Sequence, residues 1–264
     1  MQSRLIHIAS VALLMLCVDP ALAQILVPAG SNLSLNGGSL DLAGTGLTIA
    51  GSFATGSGGV NGANNIDILA GATLDGGSGY LRLSGDWSNA GTFNPASGTV
   101  FFVDGAASSS NVSGSSVFNN LSFISASGKS YVFAVGSTQT IDSVLTIGGT
   151  PSTGIQFKSS IAGQVANINL LPAGAQNISY VGVSDVHATG QHLAPTLSND
   201  GGTGNATGWF GSSIPPGGGV AVVPAPALSA SELALLILLT AGLGLYCAPR
   251  HESFHTDSDR GISS

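Results

Sequence analysis

The sequence predicts an all-β fold whose body is a parallel β-helix, or solenoid, with a β-sandwich as the alternative. Three observations carry this. Apolar residues alternate in short pairs, glycine and small polar residues separate the pairs, and charged residues make up only 7% of the 264-residue chain. Alternation is the period of a strand with one buried face. The separators Gly, Ser, Thr and Asn are weak helix formers and natural turn residues. At 43% hydrophobic, the chain is too apolar for wholesale disorder.

The first 23 residues read as a targeting helix. Arg4 supplies a positive start, "IASVALLMLCV" an apolar stretch, and Asp19-Pro20 a break. Ala21 and Ala23 then place small residues where signal peptidase cuts, making Gln24 the mature start. A lipoprotein signal wants a small residue before its cysteine, and Leu16 precedes Cys17. The other cysteine, Cys247, sits in the C-terminal apolar segment, so residues 24–210 contain none and cannot be a disulfide scaffold.

The body, residues 24–210, opens on "NLSLNGGSLDLAGTGLTIAGS". Apolar pairs fall at Leu33/Leu35, Leu40/Leu42 and Leu47/Ile49, each member recurring seven residues on. Three strand-plus-turn units make about 21 residues, a single rung of a triangular solenoid. Further pairs follow at Ile66/Ile68, Leu81/Leu83, Val100/Phe102, Leu121/Phe123, Val132 to Val135, Leu145/Ile147 and Ile155/Phe157. Stacking would place Phe93, Phe102, Phe123 and Phe157 inside. The exposed ends of such a stack need caps, and "ILVPAG" (25–30) and "ISYVGVSDV" (178–186) are the candidates.

The stretch "GDWSNAGTFNPASGTVFFVDG" with "GSSVFNNLSF" resembles the repeats of secreted bacterial β-helix surface proteins. "NISYVGVSDVHATG" leading to "LSNDGGTGNATGWF" is similar to the closing motif of that group, through Tyr180, Val183, Asp185, Asn205, Gly208 and Trp209. The resemblance covers roughly 85 to 210, while 24–84 rests on periodicity alone. It implies the β-helix architecture rather than a particular function.

Beyond the body, residues 211–231 form a Gly/Pro-rich linker, 232–250 a hydrophobic segment and 251–264 a polar tail. As a helix, Leu233–Ala248 would be about 24 Å long, short of a ~30 Å hydrocarbon core but able to span with adjustment. "PALSASELALLILL" resembles the tripartite sorting signals of the PEP-CTERM and IPTL-CTERM families of Gram-negative bacteria. Pro226, Leu228, Ser229 and Glu232 follow the IPTL pattern, and Arg250 stands where the family has a basic cluster. Two extra residues, Leu233 in place of the usual Trp, and a mixed tail depart from it. The resemblance implies a sorting protease as a partner, or retention in the membrane through 233–248.

Little in the body points to chemistry. Its carboxylates are Asp41, Asp67, Asp75, Asp86, Asp104, Asp142, Asp185 and Asp200, and most lie beside Gly, Ser or Asn, where Asx turns explain them. In a strand, Asp185 and His187 would share a face, with His192 nearby, but a metal wants a third ligand. Asp200 in "NDGGTGNATG" stands alone where a calcium turn needs several carboxylates. No Gly-x-Ser-x-Gly elbow, phosphate loop or dinucleotide fingerprint occurs. A net charge of −7 and only Arg82, Lys129 and Lys158 between 24 and 219 leave no basic footprint for nucleic acid.

The expectation is therefore an exported structural or adhesin-like protein of the cell surface, without cofactor or metal. Carbohydrate is its candidate ligand. The alternative is a carbohydrate-active β-helix enzyme, a polysaccharide lyase or hydrolase.

Overall fold

The structure, a computed structural model, describes residues 24–211 except Gly204. The segments read as signal (1–23), sorting motif and hydrophobic segment, with Ala21, Ala23, Pro226, Leu228, Ser229, Glu232 and Arg250, lie outside the described residues.

Within 24–211 the chain winds as a parallel β-solenoid of about eight rungs. The first rung is β1 (Gln24–Val27), β2 (Asn32–Ser34) and β3 (Ser39–Asp41). Next come β4 (Gly46–Ile49), β5 (Ser52–Ala54) and β6 (Gly59–Ala63). The third rung is β7 (Ile66–Ile68), β8 (Thr73–Asp75) and β9 (Tyr80–Leu83). The fourth is β10 (Trp87–Asn89), β11 (Thr92–Asn94) and β12 (Thr99–Phe102). Then the pattern changes to two strands per rung, β13 (Ser109–Ser113) with β14 (Ser116–Ile124), and β15 (Ser130–Phe133) with β16 (Thr138–Gly148). The seventh rung has β17 (Ile155–Ser159), β18 (Ala166–Leu170) and β19 (Ala175–Ser179). The last has β20 (Val181–Ser184) and β21 (Val186–Ala188).

Every strand pair in these sheets is parallel, so each strand hydrogen-bonds to its counterpart one rung away. One step covers 19 residues from Leu47 to Ile66 and 26 from Phe157 to Val183. The predicted 21-residue rung holds between Ile66 and Trp87 and stretches where corners lengthen.

The interior is a set of apolar columns. On the first face Leu47, Ile66, Trp87, Val112 and Phe133 stack in register. On the third, Leu83, Phe102, Phe123 and Ile147 do so. Phe102 and Phe123 stack face to face at 4.8 Å and 17°. Phe157 meets Phe123 edge-on at 4.9 Å, and Trp87 meets Phe93 edge-on at 4.9 Å. Such contacts add roughly 0.5–1.5 kcal/mol each beyond the area they bury. The four phenylalanines expected inside are all buried. In β15, however, the inward residues are Tyr131 and Phe133, and Val135 is exposed.

The two ends differ from the expectation. Ile178–Val186 is not a cap: it runs from the end of β19 through β20 to the start of β21, inside the last two rungs. The cap is the segment that follows, 189–210. It lays Leu193, Ala194, Trp209 and Phe210 over the last rung, with Trp209 edge-on to Phe157 at 6.1 Å. Side-chain amides finish the open strand edges. Asn199 accepts from Val183 N (2.7 Å) and donates to Val183 O (2.9 Å). Gln176 donates to His192 O (2.9 Å) and accepts from Ala194 N (2.8 Å). At the other end Ile25–Gly30 covers most of β1, a strand of the first rung, which among the described residues pairs with β4 alone.

Candidate functional site

The aspartates divide by what they bind. Asp41 and Asp75 form the expected Asx turns, accepting from Ala43 N and Gly77 N, each at 3.0 Å. Asp41 also accepts from Asn61 Nδ2 (3.3 Å) one rung away, and three others reach across rungs through backbone N–H groups. Asp86 accepts from Asn111 N (2.7 Å) and Asn111 Nδ2 (3.1 Å). Asp104 accepts from Ala126 N, Ser127 N and Ser127 Oγ at 2.8, 3.2 and 2.9 Å. Asp185 accepts from Gly163 N at 2.9 Å. A carboxylate that receives backbone N–H groups from the neighbouring rung joins two turns of the coil.

Stacking also brings two carboxylates into mutual influence. Asp67 of β7 pairs in register with Ser88, two residues after Asp86. Burial, and then the Asp86 charge, hold the Asp67 carboxyl above its ordinary range. A carboxyl shifted upward beside a second carboxyl is an arrangement that general acid–base chemistry uses. Here Asp86 already has both oxygens engaged by Asn111.

Lys129, only 1% exposed, lies at the corner before β15. Its Nζ donates to Ser84 O and, at 3.3 Å, to Val103 O, one carbonyl from each of two earlier rungs. Burial lowers its pKa, while Asp104 and Asp86 work in the opposite direction. Nζ also lies 5.8 Å from the centre of the Tyr131 ring. Burial first, and the Asp104 charge second, push the Tyr131 hydroxyl far up. Asp104 itself is raised by burial but brought net below its usual range by hydrogen bonds from Ser125, Ser127 and the Ala126 and Ser127 N–H groups. The arrangement ties corners together along the axis and keeps the ammonium away from solvent.

Asp185 and His187 do not share a strand face. Asp185 takes a left-handed φ of 58° between β20 and β21, which breaks the alternation that would have put it on one face with His187. Among the described residues no group of three His, Cys, Asp or Glu could hold a metal ion.

Surface grooves among the described residues offer two further candidates. One, of about 470 Å³, follows the corner after the second face of the first four rungs and is lined by Ser, Asn, Gly, Ala and Asp75. The second face outside it presents columns in register: Asn32, Ser52, Thr73, Thr92 and beside them Ser34, Ala54, Asp75, Asn94. The other groove, of about 460 Å³, lies where the β19–β20 corner meets the cap, around Tyr180 and Asp200. Neither contains Asp67 or Asp86.

Lys129 had no signal in the sequence beyond being a lone basic residue. Its burial follows from the long corner at 103–108, which only the rung register reveals. No known protein family, curated protein or solved structure matches the chain.

Proposed function

We propose that this protein is an exported structural or adhesin-like component of a Gram-negative cell surface, with no catalytic role. The observation that supports it best is the outward second face. It is an array of mainly Ser, Thr and Asn, with Ala54 and Asp75, in register over four rungs and suited to many weak hydrogen bonds with carbohydrate or matrix. The use of Asp86, Asp104 and Asp185 as rung-to-rung ties is consistent with a scaffold. The IPTL-like segment would then be processed by a sorting protease or kept as an anchor.

One observation favours a second reading, a carbohydrate-active β-helix enzyme: the upward shift of the Asp67 carboxyl by burial and by the neighbouring Asp86 charge. A single set of measurements separates the two. For a surface component, protein from membrane and medium begins at Gln24 by mass spectrometry. Deletion of the gene weakens attachment, and purified protein leaves neutral and acidic polysaccharides undegraded. Unchanged attachment and surface texture would overturn the first reading. Depolymerisation that disappears in Asp67→Asn would establish the second.

A further inference from the structure

From the groove at the β19–β20 corner we infer that it binds a neutral saccharide, with the Tyr180 ring as the stacking platform. Tyr180 is 44% exposed and has a φ of +50°, a conformation that L side chains adopt at a cost. Its part in the fold is made by the backbone, where its carbonyl accepts from Ile155 N at 2.9 Å. Glycine would serve that role without strain. A large aromatic side chain kept at a strained and solvent-facing position contributes little to folding, and such strain gathers at sites of function.

The surroundings fit a sugar. Pro151 and Leu197 supply apolar walls, and Ser179, Ser198 and Asp200 supply polar groups. Asp200 is fixed through its backbone, its N–H donating to Val181 O (3.0 Å) and its carbonyl accepting from Gln156 Nε2 (2.9 Å). That leaves the exposed carboxylate to accept from hydroxyls. Gly154 makes room for it, since a Cβ there would lie 2.5 Å from Asp200 Oδ2. The volume, about 460 Å³, is in the range of roughly 300–1,000 Å³ typical of small-ligand sites. A sugar ring presents an apolar C–H face for Tyr180 and hydroxyls for Asp200 and the serines. The carboxylate and the net charge of −7 disfavour acidic sugars. The inference rests on the surface reading only for access to the ligand.

The test uses the full chain in a detergent without a sugar headgroup, titrated with maltohexaose, cellohexaose and, as acidic control, polygalacturonate. The expected result is binding of a neutral hexasaccharide at about millimolar Kd and none of polygalacturonate. Tyr180→Ala should weaken binding about tenfold with an unchanged melting temperature, and Tyr180→Phe should keep most of it. Asp200→Asn and Gly154→Ala should each weaken it too, so the result does not hang on one variant folding. No binding of either neutral hexasaccharide by folded parent, or equal binding by Tyr180→Ala and Asp200→Asn, would overturn the site. Either outcome leaves the surface reading to be judged by attachment and fractionation on whole cells.

Discussion

The first four rungs and the fifth and sixth solve the same corner differently, and the seventh returns to separate strands, β18 and β19, with Gly174 N donating to Leu171 O (2.9 Å) at the turn. In the first four, the chain turns from the second face to the third at a separate tight corner, and glycine occupies the same place each time. Gly59 N donates to Gly38 O, Tyr80 N to Gly58 O, Thr99 N to Gly79 O and Asn120 N to Gly98 O, all at 3.0 to 3.3 Å. The backbones approach so closely that a Cβ on Gly79 would lie 1.5 Å from Gly58 O. In β14 the strand instead runs through this corner, with an irregularity between Phe118 and Asn120, and β16 repeats the path. Asn119 and Asn120 replace the glycine turn. The second and third sheets of the early rungs thus become one continuous ribbon.

The interiors differ in the same way. Early rungs are filled mainly by Leu, Ile and Val, whereas the later ones hold Phe123, Tyr131, Phe133 and Phe157 in mutual edge-on contact, with Lys129 buried alongside. The early coil combines glycine corners with an aliphatic interior and the Trp87–Phe93 contact, and the later one gathers more aromatic rings in mutual contact.

This contrast can be broken by mutation. Phe123→Ala is expected to have the largest effect, about 3–5 kcal/mol in urea unfolding, because it removes the ring that touches Phe102, Tyr131, Phe133 and Phe157. A much smaller loss would mean the aromatic cluster is not what holds the later rungs.

Gly79→Ala should cost about 1–3 kcal/mol or more, since the rung below has to move, whereas Asn119→Ala at the matching later corner should stay within about 0.5 kcal/mol. Equal effects would erase the distinction between the two kinds of corner.

The smallest effect concerns pH. Unfolded, Lys129 titrates near 10.5, and folded it titrates lower. Between those two values the unfolded chain binds more protons, so stability rises with pH and levels off above 10.5. Lys129→Met removes this dependence. Urea midpoints from neutral pH upward should therefore shift in favour of the parent relative to the variant as pH approaches 10.5. A flat difference would mean that Lys129 reaches water in the folded state.

Much of the scaffold could be read before folding. The alternating pairs at Leu47/Ile49 and Ile66/Ile68 sit in neighbouring strands of one sheet, as their spacing implies. The recurring Gly before a small or aromatic residue and then Leu or Val, at Gly38, Gly58, Gly79 and Gly98, is also present in the sequence as a signal for the tight corner. The second-face strands β5, β8 and β11 were harder to see. Each carries one central inward residue, Phe53, Leu74 or Phe93, and a single apolar residue has no period.

The sites were less legible. Asp185 looked like the strand neighbour of His187, and only its left-handed backbone shows that the strand breaks there. Asp104 and Asp86 lie beside turn residues, as Asx turns would, yet they hold the next rung. Asp67 feels Asp86 because the stack places one rung on another.

By itself, the sequence determined that the described body is β-rich, coils through short strands and hides its phenylalanines, because side-chain alternation and turn propensity act within a few residues. Which rungs keep three corners, which residues close the end, and which lone polar groups meet were decided only by tertiary structure. Those depend on the register between strands some twenty residues apart, and register is fixed by packing against the neighbouring rung.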